Sequence, residues 1–520
     1  MKLAIPTPTL ITILPILAFL PVSKELIENA HLGGLTTFSK FVLAAFTPSI
    51  APIVIKSSLH GLQVTVATAL LSWTLSILLG TVLGIISSNT VWKAFGNFSW
   101  ASIFIRRLLF VPRAIHEVIW GLLLLQILGL TPWVAVISLV IPYSSLMARV
   151  VADQLDTIDN RELVAVIQVG AKPSSALITS LLPKSLPILS SYYGYRLECT
   201  LRGATILGIF GLGGIGTELQ LTLQSLQFNE MWTALWMLAV LMILLERSLN
   251  WLRNSNLTFA NSLGSIQNII FIIFSTIGIS LIWLHLLDIN LFEKINLNTI
   301  TWPQPIEIKN ALFELPLRKL ILDTLLITLL SAGMAIGTPP LALILSPNHL
   351  GREILDYIWV FFRLIPAPLV VLLFLLFSTP SISIASLSLG VNNMGVMGRL
   401  LKENIKKNDD VFNAIKSCGA SDQAAWLYGK LAPTSKIYLA FAAYRTDVIL
   451  RETAVIGVAG GIGLGWQLKE SLSSFDWSQV AVITASFTII TLFGEFISDQ
   501  AHAYWIRTTT DDSLQISTQA

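Results

Sequence analysis

The residues best placed to do chemistry are charged groups stranded in apolar sequence. Glu198 stands four residues before Arg202, and Asp447 four before Arg451. On a helix that spacing puts acid and base on one face, in the favourable order. Arg196 and Arg445 precede these pairs at matching places and are left over as spare positive charges. Such pairs either fix helix packing or offer guanidinium groups to an anion, whose lost hydration forked hydrogen bonds can replace.

Other chemistries find no support. Cys199 and Cys418 give no metal or redox framework, and six scattered histidines show no ligand spacing. His116-Glu117 lacks a companion, because the corresponding residues later in the chain are Pro366 and Ala367; it reads as interfacial. Gly211-Leu-Gly213-Gly214-Ile-Gly216 satisfies the dinucleotide pattern but follows an apolar helix, where that fingerprint needs a strand. These glycines let backbones approach or bend. The phosphate-binding pattern Gly-x4-Gly-Lys-Ser/Thr is absent, so the chain carries no such loop for ATP, and no metal or catalytic set is expected.

The elements that position the charged pairs follow from composition. Of 520 residues 54% are apolar and 12% charged, 33 basic against 30 acidic, about half the charge of an average soluble protein. A net charge of +3 without basic runs gives no case for nucleic acid. Ser57–Trp92, Val118–Ala148, Asn254–Leu287, Thr324–Gly351, Leu364–Gly398 and Trp477–Gly494 contain no Asp, Glu, Lys or Arg. A spanning helix needs about 20 such residues, so the chain reads as an all-α polytopic membrane protein. The stretch from Leu10 to Val22 reads as an uncleaved first span, since prolines and a missing small-x-small site argue against a signal peptide.

The chain is also written twice. Arg113 falls on Arg363, and Met147-Ala148-Arg149 on Met397-Gly398-Arg399. With the offset reduced by one, Gly170-Ala171 falls on Gly419-Ala420, Tyr195-Arg196 on Tyr444-Arg445, and Glu198, Arg202, Gly208 and Glu246 on Asp447, Arg451, Gly457 and Glu495. The copies are residues 1–258 and 259–507, divided near Asn254–Ser265, with a polar, frayed tail over 508–520. Each holds six spans: the first near 8–22 or 266–287, a long one near 60–88 or 321–346, a pair joined by a short turn, then two after a polar stretch (150–186; 399–436). Twelve spans result, as two parallel six-helix repeats. The basic residues put the polar stretches and both termini on the cytoplasmic side.

Each polar stretch reads as a short helix, a glycine break, a second short helix and a proline that starts the next span. The first contains Ala165, Gly170, Ala171, Leu182 and Pro183, the second Ala414, Gly419, Ala420, Leu431 and Pro433. This resembles the Glu-Ala-Ala-x3-Gly coupling loop of ABC importer permeases with the methionine-importer-type fold, followed by Leu-Pro. Val164 and Asn413 stand where the family has its glutamate, and the second proline is displaced. The stretch from Tyr195 to Gly216 is similar to the fifth-span signature of phosphonate importer permeases, as is Arg106–Asp159; the second copy keeps that skeleton less tightly.

The resemblance implies a type I importer permease with two copies fused in place of a pair of subunits. It implies two ATP-binding cassette subunits on the cytoplasmic face, docked on the loops at 150–186 and 399–436, and an external solute-binding protein. It implies no enzymatic site in this chain, no cofactor of its own (ATP being bound by the partners), and a place in the bacterial inner membrane. The cargo it implies is phosphonate or a related phosphorus oxyanion, phosphite or phosphate, with Arg196, Glu198, Arg202, Arg445, Asp447 and Arg451 facing the seam between halves along the route. The alternatives are an ATP-independent secondary transporter with twelve spans and an ABC permease for a different small solute. The first would carry its long cytoplasmic loop between spans six and seven, not a loop after span four in each half.

Overall fold

The computed structural model describes residues 7–96, 98–254, 263–287, 289, 303–346, 349–405 and 409–519. The regular structure is helical, with one isolated β-bridge, Ala30 to Ser378, among the described residues. The first helices are α1 (Thr7–Asn29), α2 (Leu32–Ala44), α3 (Pro52–Ser87), α4 (Asn89–Phe95), α5 (Ser99–Leu108), α6 (Phe110–Ala114) and α7 (Glu117–Leu128). There follow α8 (Pro132–Thr157), α9 (Arg161–Gln168), α10 (Pro173–Ala176), α11 (Leu182–Leu207), α12 (Ile215–Gln224), α13 (Phe228–Asn254) and α14 (Leu263–Leu286). The later helices are α15 (Pro305–Glu314), α16 (Leu317–Leu345), α17 (His349–Leu364), α18 (Ala367–Phe374) and α19 (Ile382–Ile405). Last come α20 (Asp409–Ser417), α21 (Asp422–Ala425), α22 (Ala432–Val458), α23 (Leu464–Ser473) and α24 (Trp477–Gln519).

Two compact units form: Leu43–Ile300, and Met1–Val42 together with Thr301–Ala520. They do not follow the sequence copies 1–258 and 259–507. Helix α1 opens the first copy but packs along α16 of the second, while α14 opens the second copy and packs along α3 of the first. The contact surfaces explain the fit. A Cβ on Gly337 would meet Ile11 O at 2.8 Å and Pro15 Cδ nearer still, and one on Gly333 would lie 3.1 Å from Ala18 Cβ. Small residues at this spacing let two helix backbones touch where no hydrophobic force separates helix from lipid. Glu25, near the end of α1, accepts from the Ser383 amide at 3.2 Å and from the Ser383 hydroxyl. On the other side Leu284 of α14 is buried with Ala67 and Leu71 of α3.

Within the first-copy unit α3 is the axis, with α8 lying along it. Gly80 and Gly84 make room: a Cβ there would stand 2.6 Å from Met147 Cβ and 2.5 Å from Val151 Cβ. Trp73 Nε1 donates to Tyr193 O at 2.8 Å and fastens α11 to α3. In the second-copy unit α16 plays the same part, with α19 alongside and Tyr438 Oη donating to Ile336 O at 2.6 Å.

Five helices among the described residues are long and apolar enough to cross a membrane: Pro52–Ser87, Pro132–Thr157, Phe228–Leu249, Leu317–Leu345 and Trp477–Ala501. Three bent pairs raise the number to eight, and the apolar stretch Phe271–Leu286 is shorter. The third span of the sequence reading is one of the differences. Helices Ser99–Ala114 and Glu117–Leu128 meet at 83°, so α7 does not continue the helix before it. Its 12 residues reach about 18 Å, short of the roughly 30 Å hydrocarbon core. His116 causes the break: its backbone is extended and its Nδ1 caps the Val118 amide at 3.3 Å. The tail read as frayed is helical as far as Gln519, since neither Gly nor Pro follows Gly494 to stop it. Most of the polar boundary patch Asn254–Ser265 lies outside the described residues.

Candidate functional site

The first charged group sits midway along α11. Arg202 Nη2 donates to Glu198 Oε1 at 2.5 Å, the i,i+4 pair expected, with the side chains 29% and 12% exposed. Arg202 Nε is buried without a hydrogen-bond partner among the described residues. Arg196 points elsewhere: its Nε donates to Tyr192 Oη at 2.7 Å, and its guanidinium lies 5.3 Å from the Tyr192 ring and 5.6 Å from the Tyr143 ring. Glu117, read above as interfacial beside His116, has a partner. It is buried, and its Oε1 accepts from Tyr143 Oη at 3.1 Å.

On α22 the pairing goes further. Arg451 Nη2 donates to Asp447 Oδ2 at 2.6 Å and to Glu495 Oε2 of α24 at 3.1 Å. Arg445 Nε bonds Asn393 Oδ1 of α19, and its Nη2 donates to Glu452 Oε1 at 3.2 Å. Arg445 is therefore no spare charge: two guanidiniums here face three carboxyl groups, Asp447, Glu452 and Glu495. In the first unit Arg196 and Arg202 are accompanied by Glu117 and Glu198. Buried charge persists only when paired and hydrogen-bonded, which the carboxylates beside Arg202, Arg445 and Arg451 supply. The sequence reading set Glu117 aside and missed Tyr143, Asn393 and Glu452; the signal for the last was its place beside Arg451.

The glycine-rich stretch ends each of these helices. Gly211, Gly213 and Gly214 have φ of +87°, +91° and +85°, as Gly460 and Gly463 have +116° and +93°, a region that L side chains avoid. The chain bends by 51° into α12. Thr65 Oγ1 accepts from the Ile215 amide at 2.8 Å, and Thr324 Oγ1 accepts from the Leu464 amide at 3.1 Å. The same hydroxyl latch thus closes both copies.

The polar stretches fold as short elbows. Gly170 (φ +98°) breaks α9 from α10, and Gly419 (φ +81°) breaks α20 from α21. Pro183 and Leu431 are buried, while Ala165, Ala414, Gly170, Gly419 and Pro433 are exposed. The expected fresh start at the proline does not occur. A wider π-helical turn, Leu177–Leu181 or Trp426–Leu431, runs straight into the long helix. Leu163, Ala176, Leu177 and Leu181 anchor the first elbow against Val91, Val151 and Leu155. Phe412 against Trp426 at 5.8 Å, with Arg352 3.7 Å over the Trp426 ring, anchors the second. Facing outward are Val164 (44% exposed), Val169 (90%) and Val411 (47%).

Residues 80–255 match the family described as binding-protein-dependent transport system inner membrane component, the type I importer permease fold. The chain is 30% identical over 190 residues to the phosphate-import permease protein PhnE of Mycolicibacterium smegmatis, covering 36% of this chain and 35% of that protein. It is 27% identical over 141 residues to the phosphite transport system permease protein PtxC of Stutzerimonas stutzeri, covering 27% and 51%. The chain thus spans about a third and a half of these relatives. No solved structure matches it significantly.

Proposed function

We propose that this chain is the membrane permease of an ATP-driven importer for a phosphorus oxyanion: phosphonate, phosphite or phosphate. The observation that carries the reading is the elbow of helix, left-handed glycine and helix, built twice and presenting valines outward, in a chain whose residues 80–255 match an importer permease family. Two ATP-binding cassette subunits dock on the elbows at the cytoplasmic face and hydrolyse ATP; the permease supplies no catalytic group and holds no cofactor. A binding protein delivers the anion from outside, and both chain termini lie in the cytoplasm.

Arg196, Glu198, Arg202, Arg445, Asp447 and Arg451 line the anion route in this reading. A dry apolar route rejects an anion of one or two charges, and arginines already engaged by carboxylates hold it only weakly, as passage requires. Proteoliposomes containing the chain, its co-purifying ATPase and the binding protein test the proposal with phosphite, inorganic phosphate and methylphosphonate. ATP-dependent uptake of one of these is expected. Uptake by the chain alone, driven by an ion gradient, would mean a secondary transporter instead.

A further inference from the structure

Each unit assembles a polar cluster around the arginine that precedes its i,i+4 pair, and the two clusters use different residues to do so. In the first, Arg196 of α11 lies by the ring of Tyr143 of α8, whose hydroxyl donates to Glu117 of α7 at 3.1 Å. In the second, Arg445 of α22 bonds Asn393 of α19 and Glu452, and Asn393 Nδ2 donates to Glu452 Oε2 at 2.8 Å. The repeat register matches Arg196 with Arg445 and Tyr143 with Asn393. The carboxylates do not match: Glu117 falls on Ala367, and Glu452 falls on Gly203.

Gly203 resolves the mismatch. A Cβ built on it would stand 2.9 Å from Tyr143 Oη and 3.3 Å from Glu117 Oε1. The Glu117 carboxyl therefore occupies the place that a side chain on α11 would fill, and Glu452 fills the matching place from α22. Between the copies the carboxylate has moved from one helix to another while it keeps a hydrogen bond to the neutral group at the matched position, Tyr143 or Asn393. Packing alone does not demand this, because apolar residues of similar volume fill such a site at lower cost. What the two sites share is a carboxylate bonded to a neutral group that the repeat arginine also approaches, Arg196 at the Tyr143 ring and Arg445 at Asn393 Oδ1.

We propose that Glu117 and Glu452 are stand-in anions: while the permease is empty Glu452 holds Arg445 directly and Glu117 balances Arg196 across Tyr143, and both yield their arginine to the oxyanion in transit. This rests on the function proposed above. A carboxylate and a phosphorus oxyanion present similar oxygens to a guanidinium fork, so the exchange leaves no buried charge bare. Tyr143 and Asn393 retain the displaced carboxylate by their own hydrogen bonds. Because the carboxylate is tethered, it returns when the cargo leaves, which keeps the site weak.

The test uses the full-length chain with Glu117→Gln, Glu452→Gln and both. Gln keeps an acceptor for Tyr143 and Asn393 but removes the competing charge. Thermal unfolding of the purified chain against phosphite concentration reads affinity, and ATP-driven uptake in proteoliposomes reads half-saturation and maximal rate. The double variant is expected to show half-maximal stabilisation at about tenfold lower phosphite, or about 1.4 kcal/mol, with a lower maximal rate because release slows. Each single variant is expected to shift about threefold, which keeps the test available if the double variant does not fold. An unchanged or raised half-saturating phosphite in the variants overturns the proposal, as a purely structural role would give. If the parent imports no phosphorus oxyanion at all, it is the functional reading that fails first.

Discussion

Replacing Gly216 by alanine strikes the point where the chain bends from α11 into α12. The new Cβ would lie 2.6 Å from Ile209 N and 2.8 Å from Gly208 C, and nearer still to Thr205 O. All three are backbone atoms with no rotamer to escape into, so reaching ordinary contact at 3.4 Å with the nearest of them shifts α12 by more than an ångström. The shift pulls against the Ile215 amide bond to Thr65 Oγ1 and the Thr217 hydroxyl bond to Gly208 O. Overpacking costs about 1–3 kcal/mol, with backbone atoms at the upper end, and a weakened hydrogen bond adds about 1 kcal/mol. Alanine returns roughly 0.5–1 kcal/mol of backbone entropy. The net loss is about 3 kcal/mol, or roughly 6–12 °C for a unit of this size. Gly278→Ala is the control: nothing lies within 4 Å of its Cβ, so only the favourable half-kilocalorie or so remains. Thermal unfolding of the purified full-length chain, followed by tryptophan fluorescence, compares the two. A Gly216→Ala protein melting within a degree of the parent would falsify the close-approach argument.

Arg451→Leu leaves Asp447 and Glu495 buried together at 4% and 5% side-chain exposure and is expected to cost about 3–5 kcal/mol. Arg202→Leu, whose pair is more exposed, should cost about half as much, and equal melting temperatures would contradict this. Neutralising Arg202 and Arg451 together by glutamine should impair oxyanion uptake while the ATPase still co-purifies. Val169→Asp, at a position 90% exposed, should leave the melting temperature within about 0.5 kcal/mol of the parent yet abolish ATPase co-purification; retained co-purification would place the docking surface elsewhere. Glu25→Ala removes the acceptor for the Ser383 amide and hydroxyl. Loss of about 1–2 kcal/mol should appear as faster hydrogen exchange in α1, and unchanged exchange would show that the glycine contacts alone hold that helix.

Much of the architecture was legible because charge is scarce. Where few residues are charged, Arg202 and Arg451 in one register betray a duplication, and the i,i+4 acids before them give the pairs their geometry. The elbows were legible for a similar reason: a glycine between two short helices needs the left-handed backbone that Gly170 and Gly419 adopt. The exchange of α1 and α14 was not legible. A small-residue stripe such as Gly333-x3-Gly337 announces a close neighbour without saying which helix it is. The bend at His116 was hidden inside an apolar run, where a capping nitrogen leaves no trace in hydropathy. Arg445 looked uncompensated because Glu452 falls on Gly203 in the first copy, so comparing the copies concealed the very residue that pairs with it.

The placement of α1 has a bearing on how the chain is made. Between Asn29 and Leu317, where the helix it lies against begins, the ribosome adds nearly 290 residues. At about 5–20 residues per second, the opening helix waits roughly 15 s to a minute before its binding groove exists. Through that interval lipid stands in for Gly333 and Gly337, and the helix is kept only by its own backbone hydrogen bonds. Prolines 15 and 21 interrupt those bonds, so insertion machinery that shelters early helices is where this protein's yield will be decided.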